Sequence, residues 1–69
     1  MGPKIWGKRY GGNDPYLTDT GERVWMYRNG QRVRFYTREG TQVGPEQSNV
    51  APAFAYVLHH HWISVDDTE

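Results

Sequence analysis

The sequence predicts a small α+β domain: an antiparallel sheet of three to five strands packed against one C-terminal helix at about residues 50–60. An Asn-Gly dipeptide at 29–30 lies between two segments of alternating side chains, which is a strong hairpin signal. A glycine at 40 precedes a third such segment, and apolar residues then recur at helical spacing. A chain of 69 residues supports one compact core. Residues 1–69 are therefore one domain, with a solvated acidic tail at 66–69.

The N-terminal part predicts two short strands. IWGKRY, residues 5–10, has the composition of an edge strand, and the turn-forming GGNDP ends it. A second strand at 16–18 leads into the central hairpin. A two-residue loop at 20–21 pairs Leu17 with Val24.

The central hairpin spans residues 23–38. With Asn29-Gly30 as its loop, Trp25 lies opposite Arg34 and Tyr27 opposite Arg32. Alternation with a period of two sorts the side chains onto two faces. One face is apolar and carries Val24, Met26, Val33 and Phe35. The other face carries Arg23, Trp25, Tyr27, Arg32, Arg34 and Tyr36. We expect the apolar face to point inward, and the arginines and rings to face water.

A third strand follows a loop at 38–40. With three loop residues and Gly40 in the left-handed region, Val43 lies opposite Phe35 and joins the apolar face. A two-residue loop would instead place Val43 among the arginines, so the hydrophobic pattern favours the longer loop. GPEQSN, residues 44–49, is interpreted as the connection to the helix.

The helix at 50–60 has a good N-cap in Asn49 and tolerates Pro52 in its first turn. A strand is the alternative, because alanines alternate there with larger residues, but the helical spacing is favoured. The predicted buried stripe consists of Val50, Phe54, Val57, Leu58 and His61. Residues 62–65 then predict a last short strand.

Charge is distributed unevenly although the formal net charge is zero. All eight lysines and arginines lie in residues 1–38 beside three acids, which leaves +5, whereas residues 39–69 hold five acids and no Lys or Arg, which leaves −5. Such asymmetry suggests a basic binding surface. The chain has no cysteine, which suits the reducing cytoplasm. Since it has neither a signal-like run nor ~20 consecutive apolar residues, we expect a soluble, complete chain without membrane contact.

Catalytic, cofactor and metal sites find little support. No serine or threonine lies in a nucleophile motif, and Gly11-Gly12 lacks the remainder of a dinucleotide-binding motif. His59, His60 and His61 cannot direct three ligands at one ion from either a helix or a strand. We expect them to cap the last helical turn, with His61 partly buried. The expected protein is not an enzyme and holds neither cofactor nor metal.

The polar face of the hairpin is the candidate binding site. Arginine presents planar donors to phosphates and to guanine edges, and flat rings can stack on bases. The predicted nucleic-acid-binding residues are Arg23, Trp25, Tyr27, Arg28, Arg32, Arg34, Tyr36 and Arg38. We expect a nucleic-acid partner, with duplex DNA favoured. The alternatives are a protein-interaction module or small homo-oligomer, with an acidic protein surface as partner, and thirdly a carbohydrate-binding surface.

The segment GERVWMY followed by an Ala/Tyr-rich helix resembles, in outline, two DNA-binding families. These are the DNA-binding domain of plant ethylene-response factors and the arm-binding domain of tyrosine-family integrases. Both lay a three-stranded sheet in the major groove, so the resemblance implies DNA binding through the sheet. The hairpin and helix sequences depart from both families.

Overall fold

The structure, a computed structural model, describes residues 6–10 and 14–66. A six-stranded antiparallel sheet carries a helix on one side, which confirms the predicted fold class. The elements are β1 Lys8–Arg9, β2 Tyr16–Leu17, β3 Arg23–Asn29, β4 Arg32–Thr37, β5 Gln42–Gln47, α1 Val50–His59 and β6 Ile63–Ser64. The sheet order is β5-β4-β3-β2-β6, and β1 pairs with β3. The predicted strands at both ends of the chain are thus present, as two-residue elements.

The turn of the central hairpin lies one residue later than predicted. Asn29 pairs with Arg32, so the loop is Gly30-Gln31. Gly30 has a φ of +66°, whereas Asn29 is not in the positive region. A positive φ at only the first central position is typical of a type II′ turn, which prefers glycine there. Asn29 is therefore the last residue of β3.

This turn shifts the β3–β4 register by two residues, so each side chain keeps its predicted face but changes partner. The predicted pairs of Trp25 with Arg34 and Tyr27 with Arg32 are wrong. Trp25 instead pairs with Tyr36, and Tyr27 pairs with Arg34. The side chains stay on their predicted faces because a shift of two residues equals one full period of the strand.

The β2–β3 and β4–β5 loops share one geometry. In each, a glycine N–H donates to a threonine carbonyl three residues earlier, at 3.0 Å, and the threonine is buried. The predicted loop at 38–40 is confirmed, and Val43 pairs with Phe35. The predicted two-residue loop at 20–21 is wrong, since the Thr18 N–H donates to the carbonyl of Glu22 at 2.8 Å and the loop has three residues.

Strand β5 extends further than predicted, through most of the segment 44–49. Val43 pairs with Phe35 and Gln47 pairs with Val33. These pairs are two positions apart in β4 but four apart in β5, so β5 carries two extra residues between them. Gly44 lies in this irregularity with a φ of +75°, and a Cβ there would fall 2.6 Å from the Tyr56 hydroxyl. Glycine is therefore required for the close approach of α1 to β5.

Residues 50–59 form a helix, as favoured over the strand, and Asn49 caps it by accepting from the Val50 N–H at 2.8 Å. The predicted stripe is partly wrong, because Phe54, Leu58 and His61 are exposed. The residues that pack against the sheet are Val50, Ala53, Tyr56 and Val57. The small side chain of Ala53 is fully buried, which lets the helix approach the sheet closely. In the described part of the chain, no helix has the length and apolarity needed to cross a membrane.

The core lies between the sheet and α1. Phe35, fully buried, is the central ring, and its centroid lies 5.1 Å from Trp62, 6.1 Å from Tyr56 and 6.3 Å from Tyr16. Trp62 enters this core because His61 adopts a φ of +59° and reverses the chain after the helix. The predicted partial burial of His61 is wrong for the same reason.

Candidate nucleic-acid interface

The side of the sheet opposite α1 is here called the arginine face. It is formed by Trp6, Arg9, Arg23, Trp25, Tyr27, Arg32, Arg34, Tyr36, Arg38 and Glu46. Its rings on β3 and β4 do not face water. Trp25 is 3% exposed, and Tyr27 and Tyr36 are each 7% exposed. The expectation of solvent-facing rings is therefore wrong, because the rings form a second apolar cluster beneath charged side chains.

Guanidinium groups cover this cluster. The Cζ of Arg9 lies 5.3 Å from the centroid of Trp25 and 5.8 Å from that of Tyr27, and Arg38 lies 5.0 Å from Trp25 on the same measure. Arg9 also donates from Nε and Nη2 to the Tyr27 hydroxyl, at 3.4 and 3.3 Å. Contacts between a guanidinium and a ring at these distances are attractive, so the two arginines stabilise the covered cluster.

Arg9 and Trp6 were not among the sequence-predicted site residues. They reach the face because β1 pairs with β3, a contact between segments almost twenty residues apart. Gly7 makes this approach possible: its φ is +69°, and a Cβ there would lie 2.6 Å from the Arg28 carbonyl oxygen. A glycine beside Trp6 is the one local signal that points to such a contact.

Arg34 contacts three other side chains of the arginine face. It lies 4.2 Å from the ring centroid of Trp6, and it donates from Nε to Glu46 at 2.7 Å and from Nη1 to the Tyr36 hydroxyl at 3.0 Å. The hydrogen bond to Tyr36, followed by that to Glu46, raises the pKa of Arg34. No sequence pattern indicated Glu46 as a site residue, since it comes from the acidic half of the chain.

Glu46 links two arginines. Its other oxygen accepts from Nη1 of Arg32 at 3.1 Å, and the Arg32 side chain remains 70% exposed. The hydrogen bond from Arg34 is the main cause that lowers the pKa of Glu46 below its ordinary 4.5. The two halves of the chain, opposite in charge, are therefore joined at this face.

This ion pair predicts an acid-dependent contribution to stability. A carboxylate whose pKa is lowered by folding stabilises the protein above its ordinary pKa, and the contribution disappears as the pH falls through the lowered value. We expect the urea midpoint of the natural protein to exceed that of Glu46→Gln at pH 7, and the difference to shrink below about pH 4.5. Urea unfolding of both proteins between pH 7 and pH 3 measures this, and a difference that does not change with pH would contradict it.

One predicted site residue, Arg28, lies on the other side of the sheet, whereas Arg23 lies on the arginine face as predicted. Arg28 lies two residues after Met26 in β3, so the two side chains share a face of the sheet. Its guanidinium lies 5.6 Å from the Tyr10 centroid and donates to the Gly30 carbonyl at 2.8 Å. Since Tyr10 packs against the core under α1, Arg28 is on the helix side of the sheet. Arg23 lines a shallow depression of about 270 Å³ at the loop end of the arginine face. Arg38, Glu22 and Glu39 line the same depression.

The three histidines do not converge. His60 packs on Tyr56, with ring centroids 4.1 Å apart, and His59 meets His60 edge-on at 5.1 Å. In residues 6–10 and 14–66, no group of three His, Cys, Asp or Glu side chains is arranged to hold a metal ion.

Comparison with protein families, with curated proteins and with solved structures finds no match for this chain. A shared architecture would not define a function in any case. A function for this chain is therefore inferred from the chemistry of the arginine face.

Proposed function

We propose that this protein is a small nucleic-acid-binding domain that contacts duplex DNA through the arginine face. The observation that carries the proposal is the layer of guanidinium groups packed on buried rings, on a side of the sheet without a helix in the described part of the chain. Among the described residues, five arginines line this side, against the three carboxylates of Glu22, Glu39 and Glu46. An excess of arginine on one sheet surface suits phosphate binding.

The buried rings change the contact expected from the sequence. Trp25, Tyr27 and Tyr36 are too enclosed to stack on bases, so their proposed role is to hold the arginines. A guanidinium that already rests on a ring loses less conformational freedom when it binds a phosphate. Arg9 and Arg38 are the leading phosphate contacts, because both cover Trp25.

The size of the sheet supports the choice of duplex DNA. Neighbouring strands lie about 4.8 Å apart, so the backbones of β3, β4 and β5 together span about 10 Å. The major groove is about 12 Å wide and admits strands. Arg32 and Arg34 project from β4, the middle strand of the three.

The decisive measurement is the salt dependence of binding. If about four phosphates are neutralised, the plot of log affinity against log salt concentration should have a slope of about −3 to −4 on duplex DNA. Fluorescence anisotropy with a labelled duplex measures this, with a single strand and a neutral oligosaccharide as comparison ligands. Undetectable binding, or an affinity independent of salt, would overturn the proposal.

Matched variants locate the contact. Arg38→Gln and Arg9→Gln should each lower the affinity and reduce the salt slope by about 1. Arg28→Gln is the control, since it removes the same charge from the helix side of the sheet. Glu46→Gln should tighten binding, because it releases Arg32 and Arg34 from their carboxylate partner. Equal effects of all three arginine variants would show that only net charge matters, and would contradict binding at this face.

The proposed domain has no catalytic role of its own, and the lack of cysteine suits a cytoplasmic location. An acidic protein surface could use the same arginines. That alternative predicts no binding to duplex DNA at any salt concentration, so the anisotropy measurement separates the two.

A further inference from the structure

The outer side of α1 carries an exposed apolar stripe. Leu58 is 75% exposed and Phe54 is 41% exposed, and they are two of the three large exposed hydrophobic residues in the described part of the chain. Ala51 and Ala55 are exposed on the same side. The spacing of 51, 54, 55 and 58 places them along one side of a helix. These four residues are here called the outer stripe.

The helix as a whole lacks charge. Residues 50–59 contain no Asp, Glu, Lys or Arg, although 23% of the whole chain is charged. A surface helix normally turns a charged or polar face to water, and a helix that is apolar all round is normally buried. One side of α1 is buried against the sheet through Ala53 and Val57. The composition of the outer stripe therefore indicates that a second surface covers it.

We infer that the outer stripe docks on the same stripe of a second copy of this chain, as a two-fold antiparallel helix pair. In a two-fold interface each surface meets its own copy, so a stripe with net charge repels itself and an uncharged stripe does not. The absence of acids and of Lys or Arg from α1 thus favours a second copy over a charged partner.

The shape of the stripe supports the same partner. Large Phe54 and Leu58 alternate with small Ala51 and Ala55, so the large side chains of one helix can fit beside the alanines of the other. The middle of the stripe lies close to Ala55. A small residue at the crossing allows the helix axes to approach to about 8–10 Å.

The dimer is independent of the proposed DNA contact. The outer stripe and the arginine face lie on opposite sides of the molecule, so pairing through α1 leaves both arginine faces open. A helix of ten residues is about 15 Å long and about 10 Å wide. Its footprint is well below the ~800 Å² per partner of a standard interface, so we expect a weak dimer.

Sedimentation equilibrium between about 10 µM and about 1 mM protein tests the inference, since weak interfaces dissociate in this range. The apparent mass should rise from the monomer value of 8.0 kDa toward twice that value. Leu58→Glu should remain monomeric, and Leu58 is exposed enough that the fold should tolerate the change. Gln31→Glu, with the same charge change at the exposed hairpin tip, should associate like the natural protein.

A cysteine trap tests the predicted two-fold axis. The chain has no cysteine, so Ala55→Cys introduces a single thiol. With oxidised glutathione as the oxidant, two such thiols near the axis should form a disulfide-linked dimer quickly, because their Cα atoms fall within the ~4.4–6.8 Å that a disulfide spans. Gln31→Cys is the control and should cross-link far more slowly.

Three results would overturn the inference. The natural protein could keep the monomer mass over the whole range, or the two cysteine variants could cross-link at equal rates. The chain could also stay monomeric while Leu58→Glu abolishes its binding to lipid vesicles or to another protein, which would assign the outer stripe to a different partner. Loss of DNA binding alone, with the dimer intact, would contradict only the proposed function.

Discussion

Replacement of Phe35 by alanine should lower the free energy of unfolding by about 3–5 kcal/mol, the range observed for truncation of buried rings. Phe35 is fully buried and contacts three other aromatic residues of the core. Domains typically have about 0.05–0.15 kcal/mol of stability per residue, or roughly 3–10 kcal/mol for 69 residues, so this loss removes a large part of the total. We therefore expect Phe35→Ala to unfold at a much lower urea concentration than the natural protein. Urea unfolding followed by circular dichroism measures the effect.

The other phenylalanine provides the control. Phe54 is 41% exposed on the outer side of α1, so Phe54→Ala makes the same chemical change without opening a cavity in the core. Its cost should stay below about 1 kcal/mol, measured at a concentration where the protein is monomeric. Similar losses for the two variants would mean that the side of α1 facing the sheet is not the one described.

Trp25→Ala should also cost about 3–5 kcal/mol, although Trp25 lies on the side of the sheet without the helix. The ring is 3% exposed and supports the guanidinium groups of Arg9 and Arg38. If the ring faced water, as the alternation alone suggests, the change would stay within about 0.5 kcal/mol. The same variant should weaken DNA binding in conditions where it remains folded, since Arg9 and Arg38 both lose the ring on which they pack.

Trp25→Phe is the conservative control for this position. It keeps a flat ring under the two arginines, so its stability should lie between that of the natural protein and that of Trp25→Ala. A loss below about 1 kcal/mol for Trp25→Ala would contradict the second aromatic cluster. Amide hydrogen exchange gives an independent readout. The Tyr10 N–H donates to the Met26 carbonyl at 2.8 Å and should exchange faster in Trp25→Ala if the β1 segment loosens.

The two aromatic clusters explain how the described part of the chain supports a sheet with a helix on only one side. The cluster around Phe35 is closed by α1 and Trp62. The cluster of Trp25, Tyr27 and Tyr36 is closed by Trp6 and by arginines. Charged side chains that pack along apolar surface and keep their polar ends in water can serve as such a cover. The candidate binding surface and the stability of this side of the sheet therefore depend on the same side chains.

Local features of the sequence determined the class of fold. The alternation on either side of Asn29-Gly30 defined the two faces of the hairpin, and Gly40 with the position of Val43 defined the next loop. Asn49 and the apolar spacing after it defined the helix. Each of these signals acts within a few residues, where side-chain period and turn conformation restrict the backbone strongly.

Three features were decided only by the tertiary structure. These are the register of the hairpin, the side of the helix that meets the sheet, and the burial of the rings on the arginine face. A register shift of two residues keeps every face, so the hydrophobic pattern cannot detect it. The helix is apolar all round, so its own pattern cannot show which side meets the sheet. Trp6, Arg9 and Glu46 join the arginine face from segments distant in the chain. Burial of Trp25 depends on these long-range contacts, and alternation within the hairpin carries no information about them.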